Sequence, residues 1–156
     1  MTLSADRVLG QFLSGAHLVA QQAVKECYAS ASAESLQAIL AAGMSVLMSE
    51  SARTAICTTM SGLEQGTSMR LYTAMSRWTA ASAETEISLP RRAESSQVIV
   101  GEITELCAPR LPETILHALD RLRLALTLGQ TDEHTAFTRH APMPDALGAY
   151  PDRGKR

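Results

Sequence analysis

Large apolar residues recur at helical spacing over most of this chain. From Ser4 to Cys27 they fall at Val8, Phe12, Val19 and Val24, with Ala16, Ala20, Ala23 and Cys27 on the same side; this predicts a first helix with Ser4 as its N-cap. Leu9, Leu13 and Leu18 widen the stripe beyond one seam. A second stripe runs through Leu36, Ile39, Leu40, Leu47, Ile56, Met60, Leu63, Leu71, Met75 and Trp78. Between them lies the Ala/Ser run of "KECYASASAESLQAIL", which contains neither Gly nor Pro and leads into Glu34, a carboxylate suited to the positive end of a helix. The run therefore reads as a tight helix-helix junction with Ser32 as N-cap, and an αα-hairpin is the expected core unit.

One helix from Ala33 to Ser82 would reach about 75 Å, beyond an ordinary globular helix. A break is expected in "SGLEQGTS", where Gly62 and Gly66 each cost about 1 kcal/mol of helix propensity relative to Ala. Pro90 and the charges around it mark residues 84–94 as a connection. A third helix is predicted from Ser95 to Cys107, although "QVIV" by itself would suit a strand. A fourth is predicted in "PETILHALDRLRLALTLG", with Pro112 in its first turn and Gly129 as its stop. Leu122, Leu124, Leu126 and Leu128 alternate as a strand would, but Ile115, Leu119, Leu122 and Leu126 repeat as a helix does, and good helix formers dominate. The fold class is all-α: an antiparallel helical hairpin or four-helix bundle with long amphipathic helices in one domain, residues 1–129. Residues 130–156 hold three of the six prolines and little apolar periodicity, and read as a disordered tail.

Composition changes this picture in one respect. Hydrophobic residues make up 46% of the chain but aromatics only 4%, and 28 of the 56 residues from Ala29 to Glu84 are Ala, Ser or Thr. Small side chains bury little area each, so the core is thin and association is expected to supplement it. The nearly balanced charge, 14 basic against 16 acidic residues, offers no field for nucleic acid. Cys27, Cys57 and Cys107 are widely spaced and odd in number, which suits reduced thiols in a cytoplasmic setting. Asp6 and Arg7 interrupt the start where an export signal would be apolar, and the longest apolar stretch, Leu36 to Met48, is too short for a transmembrane span.

No constellation carries recognisable chemistry, and no cofactor or metal is predicted. His134 and His140 beside Asp132 and Glu133 match no metal-ligand spacing. His117 and Asp120 lie one helical turn apart but lack a placed nucleophile, and the position of Cys57 in the stripe argues for packing. Arg91-Arg92 and the terminal "RGKR" have no interleaved aromatics and read as solvated charge. Gly62-x-x-x-Gly66 is equally a kink or a helix contact.

The chain from Leu9 to about Ser82 resembles the phasin family, the helical proteins that coat polyhydroxyalkanoate granules. The resemblance rests on an amphipathic first helix ending at "KECYAS", the Ala/Ser junction, "SAESLQAIL" opening a second helix, and the Ala/Ser-rich stretch through "SRWTAASAE". The chain departs from that family in its leucine-rich fourth helix, in Pro109 and Pro112, and in its scarcity of Lys. The resemblance implies a non-enzymatic, oligomeric protein bound to an apolar polymer surface on cytoplasmic storage granules. Flexible thioethers adapt to irregular apolar surfaces, so Met60, Met69 and Met75, with Phe12, Leu36, Leu40, Leu47, Leu63 and Leu71, are the expected contacts. The alternative is a helical protein-binding module, such as an adaptor, secretion chaperone or regulatory subunit, that takes partner protein helices at Leu119 and Leu122.

Overall fold

The computed structural model describes residues 4–27, 30–84 and 86–130, and all of its regular structure is helical. Six α-helices follow one another: α1 Ala5–Cys27, α2 Ser30–Leu47, α3 Glu50–Ser61, α4 Gln65–Ser82, α5 Leu89–Cys107 and α6 Glu113–Leu128, with a short 3-10 turn, Ala108–Arg110, before α6. The residues expected to form a disordered tail fall, from 131 onward, outside the described residues.

Helix α1 is the centre of the bundle and packs against all five others. Its stripe is buried as expected from Val8 to Cys27, except that Leu18, expected to widen it, is 66% exposed; the Ser4 hydroxyl accepts from the Arg7 N–H at 3.2 Å as an N-cap should. Helix α2 runs back along α1: Gln37 Nε2 donates to the Gln21 carbonyl at 2.9 Å. In one continuous helix those two residues would lie about 24 Å apart, so the hairpin is real. Its junction is displaced, however. Ser30 to Glu34 is helical, so the Ala/Ser run forms the first turns of α2, and Ser32 lies inside the helix and is not its N-cap.

The long second stripe is divided into three helices, where one break was expected. The expected break occurs at Gly62, whose N–H reaches back to the Thr58 and Thr59 carbonyls and closes α3. Gly66 takes no part in it, since it lies inside α4. The unexpected break is at Ser49. Its extended backbone stops α2, its hydroxyl donates to the Val46 carbonyl at 2.7 Å and accepts from the Ala52 N–H at 3.2 Å, and Glu50 follows in the first turn of α3. Pro90 also departs from expectation. It stands in the first turn of α5, capped by Ser88, where its missing N–H costs nothing, so residues 89–94 are helix and not connection.

Small and hydroxylated residues are accommodated without cost to the core. Ser96 and Thr104, both buried, donate to the Arg92 and Val100 carbonyls one turn back, at 2.7 and 2.8 Å. The scarce aromatics are used centrally: Phe12 of α1 meets Trp78 of α4 edge-to-face, with centroids 5.2 Å apart. Gly15 makes that approach possible, because a Cβ there would stand 2.6 Å from the indole ring.

Candidate functional site

Burial separates the sequence-predicted contact residues from the surface. Phe12, Leu40, Leu47, Met60, Leu71, Met75, Leu119 and Leu122 are buried, and Leu36 and Leu63 are half-buried against the same core. The methionines do not share one face: Met60 and Met75 are wholly enclosed whereas Met69 is 60% exposed. The strongest helical periodicity marks the seam that the bundle closes upon itself. In the closed bundle none of these ten residues presents a free apolar surface. Leu119 and Leu122 line no open groove; they help form the core among α1, α2, α5 and α6.

An uncharged, partly apolar surface remains open on the other side of α2. This helix turns Ala33, Leu40, Met44 and Leu47 inward. At Gly43 its backbone lies close to α6, where a Cβ would meet Ala118 at 3.6 Å, an ordinary contact distance. Outward it presents Glu34, Ser35, Ala38, Ile39, Ala41, Ala42, Ser45 and Val46. Ile39 is 47% and Val46 36% exposed. Between Glu34 and Glu50 no charged residue occurs, so beyond Glu34 this whole outer face is uncharged. Other outer faces differ. α1 shows Arg7, Gln11, Gln22 and Lys25, α6 shows Glu113, His117, Asp120 and Arg121, and α3 shows mainly the hydroxyls of Ser51, Thr54, Thr58 and Ser61. Exposed Leu18, Met69, Val98, Leu106 and Leu124 interrupt otherwise polar surroundings on other helices.

The sequence carries a signal for this face that stripe-finding overlooks. The signal is a gap in charge, positions 35–49; Ile39, expected within the buried stripe, instead lies on this outer side, 47% exposed.

The chemically reactive groups do not assemble a site around it. His117 and Asp120 are both exposed on α6. Cys57 is half-buried on α3, and burial raises its thiol above the usual range, partly offset by the Tyr72 hydroxyl against it, so it stays protonated at neutral pH. Burial likewise raises the Tyr72 phenol and the Cys107 thiol. The ion pairs tie helices together at the surface: Arg53 to Asp6 at 3.3 Å joins α3 to α1, and Arg70 to Glu102 at 3.0 Å joins α4 to α5. Among the described residues no three His, Cys, Asp or Glu converge as a metal site would require, and no helix is long and apolar enough to cross a membrane. His134 and His140 lie outside the described residues. No protein-family model matches this chain, and neither a curated protein nor a solved structure shows significant similarity to it.

Proposed function

We propose that this chain is a non-enzymatic helical protein that binds an apolar surface through the outer face of α2, in the manner that its resemblance to phasins implies for polyhydroxyalkanoate granules in the cytoplasm. The observation that carries the reading is the uncharged outer face from Ser35 to Val46, with Ile39 and Val46 open to water. An apolar polymer can cover such a face without desolvating an ion, while α1 and α6 keep charged faces toward water. Most of the residues first expected to make this contact are buried in the core, Met69 excepted, so the proposed contact lies instead on the outer side of α2. Co-sedimentation with polyhydroxyalkanoate particles tests the reading. The wild-type chain sediments with the particles and the double variant I39E/V46E remains in the supernatant; wild-type protein left in the supernatant, or a double variant that sediments equally, overturns it.

The second reading, a module that takes a partner protein's helix, draws on the same face. Ala38, Ala41, Ala42 and Ser45 are exposed and small, which lets another helix backbone approach closely.

A further inference from the structure

We draw no further inference here: the strongest candidate, the uncharged outer face of α2 from Ser35 to Val46, belongs to the surface already described, and nothing in the structure shows what else covers it.

Discussion

Helices α1 and α2 are the two arms of one hairpin, yet they divide the protein's work differently. Both carry an apolar stripe of helical period, and both bury it in the same core. Opposite its stripe α1 bears Arg7, Gln11, Gln22 and Lys25 around a single exposed Leu18, while α2 bears Ala38, Ile39, Ala41, Ala42 and Val46 with no charge among them. The hydrophobic effect acts on area irrespective of which stripe supplies it. An arm with a second apolar side is thus left with area to bury elsewhere. Amphipathicity identifies what folds the chain; its failure on one helix identifies what the folded chain has yet to cover.

Phe12 is fully buried against Trp78, so Phe12→Ala is expected to cost about 3–5 kcal/mol, read as a lower urea midpoint at unchanged slope. Leu40, on the inner side of α2, is buried almost as deeply, and Leu40→Ala is expected to cost about 2–4 kcal/mol in the same assay. If Leu40→Ala costs less than about 1 kcal/mol, α2 is not anchored in the core, and its two faces lose the distinction drawn here.

The core was legible in the sequence because a stripe of Val, Leu, Phe and Met at three-to-four spacing has one economical use. Ser4, Gly62, Pro112 and Gly129 stand at helix ends as their chemistry demands. Two boundaries were misplaced for one reason: a small polar residue followed by glutamate starts a helix only where the chain already turns. Ser32, two residues before Glu34, lies within α2, whereas Ser49, directly before Glu50, caps α3. Propensity cannot rank the two, because the three-dimensional packing that decides between them is absent from a local window. The open face of α2 was harder still. Most of it is alanine and serine, neutral singly, and its Ile39 follows the same three-to-four spacing as the buried stripe, so only burial shows which side of the helix is closed.

Smaller effects sharpen the contrast from the α1 side. At Gly15 an added methyl would stand 2.6 Å from Trp78, a rigid ring held by Phe12. Overpacking of about 1–3 kcal/mol outweighs the roughly 1 kcal/mol gained in helix propensity, so Gly15→Ala should destabilise by about 1 kcal/mol and change the tryptophan fluorescence of the folded state. His17 on α1 is half-buried with Nε2 unpartnered, and burial lowers its pKa from the ordinary 6.5. The folded chain then holds fewer protons than the unfolded one, so this contribution is complete above pH 6.5 and is lost as the pH falls through the lower folded value. Urea unfolding at pH 7.5 and 5 should show His17→Gln losing less stability on acidification than the wild type; an equal loss would place the acid sensitivity elsewhere.

The smallest expected effect on stability falls on the face argued to matter most. Ile39 and Val46 contribute part of their surface to nothing within the bundle, so the double substitution I39Q/V46Q should alter the urea midpoint by an amount equivalent to about 1 kcal/mol or less. The same two changes place amide groups on the surface that a polymer would cover, and amides are costly to bury unpaired. Affinity for polyhydroxyalkanoate particles should therefore fall by at least about ten-fold in a protein that unfolds almost as the wild type does. A loss of stability comparable to that of Leu40→Ala would mean that this side of α2 also serves the fold and has no binding role to separate from it. Full stability combined with full particle binding would show that the uncharged face is idle in this interaction.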